Sequence, residues 1–294
     1  MKPVSIGKFE GANKFYGAAV KTLFNYLVTK DLKLKKAPAF KNIIQLVKAH
    51  SLLSYGNILL FVGRVNEDDN DSVYLYNLES KAFSHLYQLP FKDVLVFYVF
   101  IDTDYCILSN SQWHGVFNGS SILIPQGSRP PCNHIVFYQS RIVGSRDSTL
   151  IYSEPFDYFE MKDTNFIEFG STINAVYALP DRLIVGTEEE TFALVGDFPF
   201  PKQVKINSAG IIPNTITKIT VKENEMLAWA TPTSIVIYDG EKVINVNSNK
   251  IEFTAKGVGS AFCYPLLNFS GIGFQDVEMG DDMDLRVIRD GRLI

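Results

Sequence analysis

The chain has 294 residues, a formal net charge of −4 and 46% hydrophobic residues. That is room for one large all-β domain or two ordinary ones, with enough apolar side chain for a substantial core. No run of 18 apolar residues is present, which excludes a membrane-spanning helix, and residues 1–10 have no uninterrupted apolar stretch, which argues against Sec export.

Charge is unevenly placed. Residues 1–50 hold ten lysines against Glu10 and Asp31, a balance of +8. Residues 51–294 then hold the other 18 basic side chains against 30 acids, a balance of −12. Such separation marks either a solvated basic face or an arm that docks on an acidic partner, another copy of this chain included.

The elements begin with a lysine-rich extension over residues 1–48, read as partly helical or as a docking arm. Tyr16, Ala19, Val20, Leu23, Phe24 and Leu27 fall at helical spacing within 14–30, although Thr22–Thr29 also reads as β. Lys33–Lys36 is a basic turn and Pro38 a breaker. From residue 49 to 294 the pattern is β. Apolar runs at 49–54, 58–63, 72–78 and 82–88, then 93–101, 105–109, 113–117 and 120–124, are separated by turns. A loop with Pro125, Gly127, Pro130 and Pro131 follows, and His134–Tyr138 opens the next group.

Three hairpins then recur. Arg141–Gly144 pairs with Thr149–Ser153, Arg182–Gly186 with Thr191–Gly196, and Met226–Ala230 with Ser234–Tyr238. Their starts at 141, 182 and 226 lie 41 and 44 residues apart, and a propeller blade takes roughly 40–45 residues. Runs at 172–178, 216–221 and 243–247 supply further strands. The expected fold is all-β, a β-propeller of five or six blades behind a short basic N-terminal extension. The final 44 residues, with runs at 262–269, 271–274, 285–288 and 292–294, form a sixth sheet or lend a strand that completes the first blade.

Chemistry-bearing patterns are few. His50, His85, His114 and His134 have no metal-ligand spacing and read as ordinary strand or turn residues, and Cys106, Cys132 and Cys263 read as free thiols of a reducing compartment. No nucleophile elbow, phosphate loop or dinucleotide fingerprint occurs. The run Asn66–Asp71 supplies oxygens for a cation but neither a bend glycine nor a closing Glu, so a solvated hairpin tip is expected. Ser145–Thr149 resembles the Asp-box turn of sialidase-type propellers without its glycine and tryptophan, and reads as a hairpin turn around Asp147. Glu278, Asp281, Asp282 and Asp284 form an acidic patch able to receive the basic segment of a neighbour. The expectation is no enzyme, no catalytic site, no metal and no cofactor.

Three stretches carry a resemblance. Gln139-Ser-Arg-Ile-Val-Gly-Ser-Arg-Asp-Ser-Thr-Leu-Ile-Tyr-Ser-Glu-Pro-Phe-Asp-Tyr-Phe159, closing with Phe166–Gly170, resembles a blade of bacteriophage tail nozzle and hub proteins. Ile173–Gly186 with Thr191–Gly196 resembles the family's next blade, and Ala209–Pro213 with Trp229–Gly240 the one after. Upstream, Ala49–Ser54 resembles its first inner strand and Leu32–Phe40 the basic lead-in. The resemblance spans roughly residues 30–247 and carries over no catalytic residue. It implies a structural virion protein of the tail, made in the host cytoplasm, that assembles with itself into a ring of six around the DNA channel. Its implied partners are other tail or head-to-tail connector proteins and DNA passing without sequence specificity, with no membrane. The alternative is a ligand- or receptor-binding propeller, such as a carbohydrate binder, with Trp113, Trp229 and Tyr158 as candidate platforms.

Overall fold

A computed structural model describes residues 46–101, 105–125, 130–221 and 224–246, and the strand segments 26–28, 34–36, 254–264, 269–278, 285–289 and 292–293. Among these residues there is no helix. Strands β1 (Tyr26–Val28) and β2 (Leu34–Lys36) pair with each other, so of the two readings of this stretch the β one over 22–29 holds at 26–28, where β-branched and aromatic neighbours favour pairing, and the helical one does not; the rest of 14–30 lies outside the described residues.

Six four-stranded antiparallel sheets follow, each made of consecutive strands. Sheet 1 is β3 (Lys48–Tyr55), β4 (Ile58–Arg64), β5 (Ser72–Asn77) and β6 (Phe83–Gln88). Sheet 2 is β7 (Phe97–Phe100), β8 (Cys106–Ser109), β9 (His114–Phe117) and β10 (Ile122–Leu123). Sheet 3 is β11 (Asn133–Tyr138), β12 (Arg141–Arg146), β13 (Thr149–Tyr152) and β14 (Phe166–Glu168). Sheet 4 is β15 (Ile173–Ala178), β16 (Arg182–Thr187), β17 (Thr191–Val195) and β18 (Lys202–Asn207). Sheet 5 is β19 (Thr217–Val221), β20 (Asn224–Ala230), β21 (Ile235–Tyr238) and β22 (Val243–Asn245). Sheet 6 is β23 (Thr254–Tyr264), β24 (Phe269–Glu278), β25 (Leu285–Arg289) and β26 (Arg292–Leu293). The three hairpins expected from sequence are β12–β13, β16–β17 and β20–β21. The described strands of the last residues form a sheet of their own, and none of these strands joins the first blade.

Side-chain alternation explains why the second strands read as unbroken apolar runs. Successive residues of a strand point to opposite faces. In β16, Leu183 and Val185 pack with Val143 and Leu150 of sheet 3, while Ile184 between them packs with Leu227, Trp229 and Val236 of sheet 5. In β20, Leu227 and Trp229 face sheet 4, and Ala228 and Ala230 join Ala255 and Ile272 of sheet 6. In β8, Cys106 and Leu108 face Leu60 and Val73 of sheet 1, whereas Ile107 meets Ile135 and Ile142 of sheet 3. The second strands of sheets 2 to 5 are therefore buried on both faces between two neighbouring blades, the arrangement of a propeller.

Packing between blades is tight where a glycine sits in a middle strand. A Cβ on Gly186 would come within 2.3 Å of the Ile211 side chain. The outer strands are different. β18 reads Lys-Gln-Val-Lys-Ile-Asn, with both lysines exposed and Val204 and Ile206 half-buried. Charged side chains on such an edge discourage pairing with another chain.

Candidate functional site

In antiparallel blades the turns alternate between two ends of the molecule. One end carries the turns between first and second strands and between third and fourth strands. There, β11 and β12 are joined by Gln139 and Ser140, whose φ values of 49 and 57 are both left-handed. That is the geometry of a two-residue type I′ hairpin, which glycine or asparagine ordinarily fills. Each non-glycine residue there costs on the order of 1 kcal/mol.

Contacts to two loops offset that strain. Gln139 Nε2 donates to the Gly196 carbonyl at 3.2 Å and to Asp197 Oδ1 at 3.1 Å. Its Oε1 accepts the Phe198 N–H at 3.2 Å. The Ser140 carbonyl accepts the Phe156 N–H at 2.8 Å. The third-to-fourth-strand loops of sheets 3 and 4 are thereby gathered at one turn. Arg141 lies over the rings of Tyr152 and Phe198, at 5.8 and 6.0 Å, and donates to the Ser153 carbonyl at 2.8 Å. Burial pushes the Tyr152 hydroxyl above its usual pKa, and Arg141 opposes the shift.

The gathered loops present aromatic side chains to solvent. Phe156 is 76% exposed and Phe200 91%, and Phe159, in the same loop as Phe156, is also exposed. Tyr158 is half-buried, edge-on to Phe137 at 5.8 Å. A cleft of about 670 Å3 adjoins this patch, running from Phe137–Gln139 past Tyr177 and Leu179 to Tyr238. Arg182 forms its wall. As the first residue of β16 it holds the position that Arg141 holds in β12, and it too reaches into the next blade. Its Nη1 donates to the Tyr238 hydroxyl at 2.8 Å and the Gly240 carbonyl at 2.7 Å, and its Nε and Nη2 are held by Asp181. Asp181 is correspondingly more acidic, chiefly through Arg182. Lys218 and Glu225 pair across β19 and β20 at 2.5 Å. The cleft therefore offers aromatic and aliphatic wall beside charges already matched to one another.

The opposite end satisfies itself. Turns between second and third strands are capped by side chains: Asn110 Oδ1 accepts the N–H groups of Gln112 and Trp113, Thr187 Oγ1 that of Glu190, and Thr231 Oγ1 that of Ser234. In sheet 1 a charged network replaces the caps. Asp71, fully buried, accepts Arg64 Nη1 at 3.2 Å, the Asp93 N–H at 2.6 Å and His50 Nε2 at 3.1 Å. Arg64 also reaches Asp93 at 2.9 Å, and Lys48 pairs with Asp93 from outside. Lys48 and Arg64 hold the Asp93 carboxyl down at about 2. His50 Nδ1 lies 2.9 Å from Ser51 Oγ, so Ser51, His50 and Asp71 have the connectivity of a hydrolase triad. Their other partners make the network a clasp: Ser51 Oγ accepts the Val96 N–H at 2.9 Å, tying the 89–96 connection to β3 and β5. The sequence reads His50 as an ordinary strand residue because its partners lie 1 and 21 residues away, at no ligand spacing.

Several expectations are corrected here. Trp113 and Trp229 cannot be carbohydrate platforms. Trp229 is wholly buried beside Tyr238, and Trp113 is buried and stacked on Tyr87. An indole of about 200 Å2 at roughly 25 cal/mol per Å2 gains up to about 5 kcal/mol inside the core, and strands placed between two blades supply that site. The Asn66–Asp71 tip is exposed through Asn70, but Asp71 turns inward to Arg64 and is not solvated. Among the described residues no group of three or more His, Cys, Asp or Glu is placed to hold a metal. Asp147 sits in the turn between β12 and β13 at φ 53. Cys106 and Cys132 are buried in the core, and burial pushes the Cys106 thiol up to about 12; the Cys263 side chain lies outside the described residues, as do Asp281, Asp282 and Asp284.

No family model matches this chain, and no curated protein matches it. Solved structures do. The WD40 domain of Neurospora crassa Pan2 has a TM-score of 0.58 at 9% identity, over 85% of this chain and 81% of that one. The β-propeller domain of the Trilobed protease from Pyrococcus furiosus has a TM-score of 0.52 at 11% identity, over 85% and 84%. The computationally designed Ika8 protein has a TM-score of 0.51 at 13% identity, over 84% and 74%. Likeness at these identities is a likeness of fold, and the fold is a β-propeller.

Proposed function

We propose that the chain is a structural subunit of a bacteriophage tail, in the nozzle, the hub or an adjacent ring, and that copies of it assemble into a ring of six around the DNA channel. One observation carries the reading. The turn Tyr152–Phe156, which bears the resemblance to nozzle and hub proteins, leaves Phe156 in solvent, and the loop pinned at the same Gln139–Ser140 turn leaves Phe200 there too. An apolar patch held open by strained backbone suits a surface that a partner covers, and obligate assemblies rely on such area. Function then resides in contacts between subunits and with neighbouring tail proteins. Catalysis, metal and cofactor have no part in the proposal. Native mass spectrometry of the purified chain, with gold-labelled antibody on virions, tests it. A ring of six and label on the tail are expected; a monomer at all concentrations together with unlabelled virions overturns it.

The cleft favours a second reading, a propeller that binds a ligand of the receptor or carbohydrate class. Tyr177 and Phe137 on its lining supply aromatic surface that Trp113 and Trp229 do not. A glycan array separates the two readings: specific retention that is lost in Tyr177→Ala supports the ligand reading.

A further inference from the structure

We propose that the aromatic patch of sheets 3 and 4 is the docking surface for the lysine-rich segment 1–36 of a second copy of this chain. The inference rests on the ring reading and names its contact.

The patch is apolar at its centre and acidic at its edge. Phe156, Phe159 and Phe200 are exposed at one end of the molecule, on loops pinned by Gln139 and Ser140. Around them Asp157, Glu160 and Asp163 are exposed and make no ion pair among the described residues. Lys162 in the same loop is occupied by Glu154, as is Arg141. A covering partner must therefore bring apolar side chains and unpaired positive charge together.

Segment 1–36 has that composition. It holds eight lysines against Glu10 and Asp31, and between them Phe15, Tyr16, Val20, Leu23, Phe24 and Leu27. Its charge opposes that of the loop, and its aromatic and aliphatic side chains match the exposed phenylalanines. The segment leads into sheet 1 at Lys48, whereas the patch lies on sheets 3 and 4 with sheet 2 between. A segment handed to the next copy closes a head-to-tail ring, the heterologous contact that cyclic assembly needs. Desolvation of the rings supplies most of the affinity, and the lysines choose the partner and its orientation.

The test uses the full chain. Unlabelled and 15N-labelled protein are mixed, treated with a carbodiimide that joins lysine to carboxylate as an amide, and mapped by mass spectrometry. Mixed-isotope amides from lysines of segment 1–36 to Asp157, Glu160 or Asp163 are expected. In Phe156→Ser/Phe200→Ser they should fall with a roughly tenfold or greater loss of association. Both side chains are exposed, and an unchanged far-ultraviolet spectrum checks folding. A ring whose lysines join other acids, such as Asp281 or Asp282, overturns the docking site and leaves the ring. Amides of one isotope alone, within an oligomer sized independently, overturn the choice of a second copy. Lysines that instead retain duplex DNA and never reach the loop overturn it in favour of the channel. A monomer without mixed amides removes the ring reading itself.

Discussion

The two ends of the blades close most of their turns alike and part company in sheets 3 and 4. At one end the turns are closed by Asn110, Thr187 and Thr231, and in sheet 1 by the buried Arg64–Asp71 pair. At the other end Asn77, Asn118 and Asp239 cap turns of sheets 1, 2 and 5 in the same way, whereas in sheets 3 and 4 Gln139 and Ser140 hold a strained turn in place through contacts to two loops, and those loops put Phe156 and Phe200 into water. Polar satisfaction within the chain is common to both ends. Surplus apolar surface is added at the second, on the loops of sheets 3 and 4. The difference teaches that stability and association are carried by different ends of the same blades, so they should be separable by mutation.

The sharpest way to break that division is at Asp71. Replacing Asp71 with Ala leaves Arg64 buried beside an empty space, and urea unfolding should show a loss of about 3–5 kcal/mol. A loss under about 1 kcal/mol would mean the closed end does not hold the fold.

Acid should act at the same end. Burial lowers the His134 pKa to about 4, and its ring lies 4.3 Å from that of Phe97. The unfolded chain binds this proton near pH 6.5 and the folded chain only near 4, so stability falls as pH drops across that window, by on the order of 3 kcal/mol. His134→Asn, which tolerates the φ of 48 at that position, should flatten the dependence in thermal melts between pH 4 and 6.5. Asp93 acts lower still. Its depressed carboxyl stabilises above about pH 4, and that contribution is lost as pH falls toward 2.

Thr231→Val removes a cap while keeping the shape. The Ser234 N–H loses its partner inside the protein while the Ser234 carbonyl keeps the Thr231 N–H, which should cost about 1–2 kcal/mol in the same unfolding assay.

The smallest stability change is expected at the open end. Phe156→Ser with Phe200→Ser should alter unfolding free energy by no more than about 0.5 kcal/mol, while sedimentation velocity shows weaker association. A large stability loss there would merge the two ends into one.

Much of the fold was legible because blades impose a period on the chain. Middle strands such as β12, β16 and β20, buried on both faces, appear as apolar runs, and their hairpins recur every 41 to 44 residues. The outer strand β18 carries no such run: Val204 and Ile206 are its only apolar residues, half-buried among lysine, glutamine and asparagine, a pattern shared with loops. Sheet 6 was legible as strands but with shifted boundaries: the run at 262–269 is split between β23 and β24. The site was less legible. Gln139, Arg182 and Asp71 carry no spacing signal, since their partners lie 57, 56 and 22 residues away.

Composition and periodicity by themselves determined that this is an all-β chain of repeated four-stranded units with a basic leading segment, because hydrophobic period and turn chemistry are local properties. Tertiary structure decided which aromatic residues are core and which are surface. Trp113 and Trp229 vanish between blades while Phe156 and Phe200 stand in solvent, although all four are large apolar side chains next to turns or strands. The reason is that burial depends on what packs across from a strand, and that partner comes from the neighbouring blade some forty residues away.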